Sequence, residues 1–215
     1  MDTLINNLDL FVSGFRNTLI LFFFSAIFAL ILGTAVGAMR VSPVPIMRGV
    51  GTVYVNLVRN TPLTLIMFFF AFGYPKLGLI PWPYEVLAII ALSLYTATYV
   101  AEVLRSGFNT VPVGQAEAAR AIGLPFAQTM TLVVMPQAMR AVIPPMMSVF
   151  IALLKNTTVA AGFSVAEAGS IRANLSERGE PAIVVLLWVA AIFVLLVGLL
   201  SLLQRYLERR WKVLR

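Results

Sequence analysis

The sequence predicts an all-α membrane protein with five transmembrane helices, and three observations lead there. The 215 residues are 60% hydrophobic and only 12% charged, far more apolar than an ordinary soluble domain, with a mean hydropathy of +0.92. Uncharged apolar runs recur at the length a bilayer demands, roughly 20 residues per helix. Lys and Arg gather at the ends of those runs, as the positive-inside rule expects. The net charge of +7 therefore belongs to membrane boundaries, and no nucleic-acid partner is expected. The chain has no cysteine and no histidine. That excludes disulfides, Ser-His and Cys-His catalytic pairs and the commonest metal ligands, so neither a metal site nor catalysis is expected.

Each element has its own warrant. Residues 1–16 place Leu4, Ile5, Leu8, Phe11, Val12 and Phe15 on a helical period, with Asn6, Asn7, Asp9 and Ser13 between them. They read as an amphipathic helix on the membrane surface, or as the start of the first span. No basic n-region or small-residue cleavage site precedes the first apolar run, so no cleaved signal peptide is expected. Residues 18–39 are uncharged and form the first span. Arg40 and Arg48 bracket a loop holding Pro43 and Pro45, and residues 49–74 make the second span. Pro75, Gly78, Pro81, Trp82 and Pro83 mark a short loop with an interfacial aromatic.

Residues 86–105 are the third span, closing at Glu102 and Arg105, and a long mixed loop follows over 108–137. Residues 141–163 are the fourth span, entered through Pro144-Pro145. Glu167, Arg172, Glu177, Arg178 and Glu180 suggest a solvated loop or short helix before the fifth span, 181–204, and a basic tail. The whole, 1–215, is expected to be one transmembrane domain. With the N-terminus outside, Arg40, Arg48, Arg105, Arg120, Arg140 and the five cations after Gln204 all fall inside. Only Arg16, Lys76, Arg172 and Arg178 fall outside. That bias sets an N-out, C-in topology in the plasma membrane, with the 108–137 loop in the cytoplasm.

That loop is where the apolar monotony breaks. Glu117-Ala118-Ala119-Arg120-Ala121-Ile122-Gly123 is followed, nine residues on, by Val133-Val134-Met135-Pro136. A first short helix is expected from near Pro112 to Gly123, and a second from Pro125 until Pro136 breaks it. Glu-Ala-Ala-Arg-Ala alone is simply a good helix former. The whole spaced pattern, however, resembles the EAA loop of bacterial ABC importer permeases, with Val133 and Met135 standing where that family has Ile and Leu. The resemblance implies a coupling helix, with Glu117, Ala118, Ala119, Arg120, Gly123 and Pro136 docking into a cytoplasmic ATPase.

Two cations sit inside apolar spans. Arg59 lies ten residues past Gly49, roughly 15 Å along a helix and so near the bilayer midplane. Lys155 is likewise internal. An intramembrane cation costs a few kcal/mol or more and should face a partner or a wet cavity. One reading makes Arg59, Asn60, Thr61, Lys155, Asn156, Thr157 and Thr158 a polar path that meets the carboxylate of a passing solute. The other pairs Arg59 with Glu102 and has Lys155 cap helix carbonyls.

Arg59-Asn60-Thr61-Pro62-Leu63 resembles the Arg-x-Thr-Pro-Leu box of the polar amino acid subfamily of these permeases, and Lys155-Asn156-Thr157-Thr158 resembles the box on its fourth span. The surrounding runs, Met39 to Pro43 and Val58 to Leu65, look most like permeases of glutamate importers. The resemblance implies a permease subunit of an ATP-driven importer, carrying L-glutamate or another polar amino acid. It implies an ABC ATPase dimer, a second permease subunit (a paralogue or a second copy), an extracytoplasmic substrate-binding protein and the lipid bilayer as partners. The sequence contains no Gly-x-x-x-x-Gly-Lys-[Ser/Thr] phosphate loop. The chain itself is therefore expected to hold no cofactor, with ATP and Mg bound by the partner ATPase. The competing readings are an ATP-independent channel or secondary transporter for anionic amino acids, a membrane enzyme, and a purely structural subunit. The first leaves the Glu117–Pro136 spacing unexplained, the second lacks acid–base groups, and the third gives the polar boxes no use.

Overall fold

The computed structural model describes residues 2–210, which form ten α-helices. These are α1 (Asp2–Asn6), α2 (Leu8–Val41), α3 (Pro45–Asn60), α4 (Leu63–Phe68), α5 (Tyr84–Asn109), α6 (Val113–Ala121), α7 (Phe126–Gln128), α8 (Met135–Asn156), α9 (Ile171–Glu177) and α10 (Ala182–Arg210). Helix α4 runs on as a π turn, Phe69–Gly73, and a 3₁₀ turn, Tyr74–Leu77. A second π turn, Thr129–Val134, joins α7 to α8, and α8 runs on into 3₁₀ backbone, Thr157–Phe163. Four stretches are long and apolar enough to cross a membrane: α2, α5, Phe126–Phe163 and α10. The bent pair Pro45–Asn60 and Leu63–Leu77, which turns by 95°, makes a fifth.

Leu8 to Arg16 belong to the continuous helix α2, so most of the N-terminal amphipathic stretch is the beginning of the first span. The second span is broken because Pro62 has no N–H and pushes Thr61 into extended backbone, φ −89° and ψ 129°. Thr61 Oγ1 donates to Leu57 O at 2.8 Å, which satisfies a carbonyl the broken helix leaves free. Pro136 does not break the chain as expected. It sits in the first turn of α8, where no N–H is required of it, and the π turn before it absorbs the irregularity. Pro144 and Pro145 likewise lie within α8.

The centre of the bundle is α2 against α5, with α5 in turn against α8. The α2–α5 seam uses small residues. Gly33 lies against Val100 and the Ala97 carbonyl with no room for a Cβ, and Ala29 packs with Val100, Val142 and Met146. Without a hydrophobic force between helices in lipid, such close backbone approach is what holds them. Helix α10 fully buries only Val185 and Val189; Trp188, Phe193, Leu196 and Leu200 are partly buried against the core, and Leu187, Val194, Leu195, Leu199 and Leu202 are exposed. Val185 and Val189 join Phe11, Phe15, Ala168, Ile171 and Leu175 in a second cluster, which brings the beginning of the chain against its end. One expectation fails here. Glu167, read as part of a solvated loop, is fully buried, because the turn that carries it folds back onto α2.

Candidate functional site

Tyr95, Thr96 and Tyr99 on α5 and Ser148, Val149, Ala152, Leu153 and Asn156 on α8 line a cavity of about 290 Å³. The tyrosines are spaced i, i+4 and so share one face of α5, with their hydroxyls 2.9 Å apart. Gln204 of α10 donates to Ser148 Oγ at 3.1 Å. Hydroxyls, an amide and aromatic rings inside a membrane-length bundle make a polar pocket with apolar walls, the usual form of a small-molecule site.

Glu102 lies further along the same face of α5. Its carboxylate meets Arg40 Nη1 at 2.7 Å, Arg59 Nη1 at 3.3 Å, and Arg105 through Nη2 at 3.0 Å and Nε at 3.1 Å. Three positive charges from α2, α3 and α5 thus surround one negative charge, and the cluster carries surplus positive charge. The three arginines are not equivalent. The Arg40 side chain is 9% exposed; its short contact is off the N–H direction, and its Nε has no partner. The Arg59 side chain is 46% exposed and has the longest contact. Its charge also reaches the Tyr95 hydroxyl at the cavity. Arg59 therefore has the partner that the structural reading of the sequence gave it, and it still faces open space.

The expected path residues do not form one wall. Asn156 lines the α5–α8 cavity. Lys155 and Thr158 line a separate groove of about 520 Å³ against Phe193, Val197, Gly198 and Ser201 of α10. Thr157 is buried, its Oγ1 donating to Leu154 O at 2.8 Å, and Thr158 Oγ1 donates to Lys155 O at 2.7 Å. Asn60 is exposed beside Arg59. Sequence reasoning missed Tyr95, Tyr99 and Ser148. Their signal was present as hydroxyls on one face of two apolar spans, but it became a cavity only once α5 and α8 were paired.

The second feature is a protruding helix. Pro112 caps α6, on which Glu117, Ala118 and Arg120 are exposed and Ala119 is buried. Gly123 ends it at φ +90°, a backbone region L side chains avoid. Leu124 N donates to Ala119 O at 3.1 Å and Gly123 N to Arg120 O at 2.9 Å, closing the helix with a left-handed cap. Ile122 and Phe126, 80% and 73% exposed, flank the cap. Two large apolar side chains are thus exposed on a charged helix–turn. Pro136 lies behind this surface, at the root of α8.

A bundle of membrane-length helices carries an open groove lined by hydroxyls and an amide, a charge cluster on the same face of α5 and an exposed short helix, and similarity to known proteins says what kind of membrane protein this is. The chain belongs to the family described as binding-protein-dependent transport system inner membrane component, whose pattern matches residues 29–213. It is 46% identical over 195 residues to a glutamate transport system permease protein, GluC, of Corynebacterium glutamicum, covering 85% of this chain and 86% of that protein. It is 35% identical over 211 residues to a probable glutamine ABC transporter permease protein, GlnM, of Bacillus subtilis, covering 96% and 95%. Its fold matches a chain of a solved amino acid ABC transporter with a TM-score of 0.91 at 27% identity, covering 96% of both chains. The chain thus falls among the amino-acid ABC permeases.

Proposed function

We propose that this chain is the permease subunit of an ATP-driven importer that carries L-glutamate. The observation that carries the reading is Arg59, half-exposed at the α3 break and near the Tyr95–Tyr99 cavity, in a cluster where guanidinium groups outnumber carboxylates. An acidic solute brings a carboxylate that takes Arg59 from Glu102, while Arg40 and Arg105 keep Glu102 paired. The exchange is cheap, since a pair this exposed is worth only about 0–1 kcal/mol. Similarity to the glutamate permease of Corynebacterium glutamicum supports the same choice. Lys155 and Thr158 stand on the α10 side, where a second permease subunit, a copy or a paralogue, would complete the path.

The basic ends of α2, α5 and α10 set the topology N-out and C-in, with α6 in the cytoplasm. There Glu117, Ala118, Arg120 and the exposed Ile122 and Phe126 dock on one subunit of an ABC ATPase dimer, which holds ATP and Mg. A soluble binding protein delivers the solute from outside. The permease dimer then shifts between inward- and outward-facing populations as the ATPase binds and hydrolyses nucleotide.

The test is uptake of radiolabelled L-glutamate by proteoliposomes holding the permease, its ATPase and its binding protein. ATP-dependent uptake is expected, and Arg59→Met should lower it more than about tenfold, an effect of roughly 1.4 kcal/mol. Flux without the ATPase, or wild-type affinity and rate in Arg59→Met, would overturn the assignment.

A further inference from the structure

Cavity residue Asn156 ends α8, and the backbone from Thr157 to Phe163 is 3₁₀. Ser164 follows with φ 61°, then a turn at Val165–Gly169 that folds back onto α2. Such irregular backbone survives at a membrane only when its polar groups are satisfied from within the protein. Three side chains, Glu167, Thr18 and Asn17, do this here. Glu167 Oε1 accepts from Gly169 N at 2.7 Å, and Oε2 accepts from Thr18 Oγ1 at 3.0 Å. Thr18 Oγ1 itself accepts from Ala168 N at 3.0 Å, and Asn17 Nδ2 donates to Ala166 O at 2.7 Å. A Cβ on Gly169 would lie 3.2 Å from both Ala161 Cβ and the Thr158 carbonyl, so the Glu167 turn packs closely on the 3₁₀ wall.

We infer that Glu167 is a positioning residue for transport: it fastens the wall that continues from the Asn156 cavity to helix α2, and it does so as the neutral acid. The assignment rests on the transport reading for its function, and on the proposed topology for placing the Glu167 turn at the outer surface. Full burial without a cation favours the neutral acid, whose Oε2–H then donates to Thr18 Oγ1 across the same 3.0 Å contact while Oε1 still accepts from Gly169 N. Among the described residues, Asp9 and Arg16 on α2 and Arg172 and Glu177 on α9 are exposed. Glu180 is taken by Thr3 and Asn7, and Thr157–Phe163 carries no titratable group. Burial pushes the carboxyl up to about 7, against the opposing pull of the Thr18 and Gly169 hydrogen bonds. A carboxyl whose pKa is raised on folding stabilises the fold fully below its unfolded value. That contribution is lost as pH rises through about 7. The neutral fraction falls from about nine-tenths at pH 6 to about one-tenth at pH 8.

The experiment is ATP-driven uptake by the reconstituted complex as external pH is varied from about 6 to 8, with hydrogen exchange of the 165–170 amides followed in parallel. Wild-type kcat should fall at least about threefold across the range with KM little changed, and the amides should lose protection together with it. Glu167→Gln, an uncharged isostere, should flatten both profiles at the wild type's acid-side values. Glu167→Ala should lower kcat at every pH, because Gly169 N and Thr18 then lose their partner. An unchanged pH step in Glu167→Gln, or wild-type kcat and protection in Glu167→Ala, overturns the inference. The transport reading fails separately, if the wild-type complex shows no ATP-driven uptake while the amides still follow Glu167.

Discussion

Glu102 carries an unequal load, since one carboxylate faces three guanidinium groups and the most buried of them, Arg40, is the least well aligned. Removing the acid should therefore hurt far more than removing any one base. Glu102→Gln leaves a buried cation beside two like charges, and a cost of about 3–5 kcal/mol is expected for uncompensated buried charge. Arg59→Met should cost under about 1 kcal/mol in stability, because its pair is half-exposed, while still abolishing most uptake. Thermal melting of the two variants in detergent separates these outcomes, and equal destabilisation would count against the exchange of Arg59 between Glu102 and solute. The Arg59–Glu102 pair was legible in the sequence as two intramembrane charges of opposite sign. Arg40 was not, because only the packing of α2 on α5 brings a residue at a span's end to the same carboxylate. Glu167 was misread for a related reason. The charged residues that follow it, Arg172, Glu177 and Arg178, are exposed, and its buried partner Thr18 lies 149 positions away.

Among the elements, the spans follow directly from hydropathy and the break at Thr61–Pro62 from the chemistry of proline. Pro136 went the other way, since a proline expected to end a helix stands inside its first turn once a π turn precedes it. Helix α6 is the element whose ends matter most. Its left-handed cap at Gly123 sets the direction in which the exposed Ile122 and Phe126 leave the helix. Gly123→Val should cost about 1–2 kcal/mol locally and misdirect those side chains. Glu117→Lys reverses an exposed charge and should leave the fold unaltered. Both variants should insert like the wild type, and Glu117→Lys should also melt like it, yet both should fail to assemble with the ATPase or to stimulate its hydrolysis. Co-purification and ATPase assays check this, and normal stimulation in both would return α6 to the status of an ordinary helix.

For the whole molecule, a consequence follows from the contact between the two ends of the chain. Phe11 and Phe15 at the start of α2 pack with Val185 and Val189 near the start of α10, and Thr3 Oγ1 donates to Glu180 at 2.8 Å. The ribosome makes the first half of that contact long before the second. During synthesis α2 must wait in the bilayer with its aromatic seam open until α10 emerges, so the seam closes only when α10 inserts. A nascent chain arrested after residue 180 should expose that seam to membrane quality-control proteases, and one arrested after residue 210 and released should resist them. Pulse-chase with the two truncations measures the difference. Helix α10, so little buried in the bundle, is thus the clasp that closes the aromatic seam of α2.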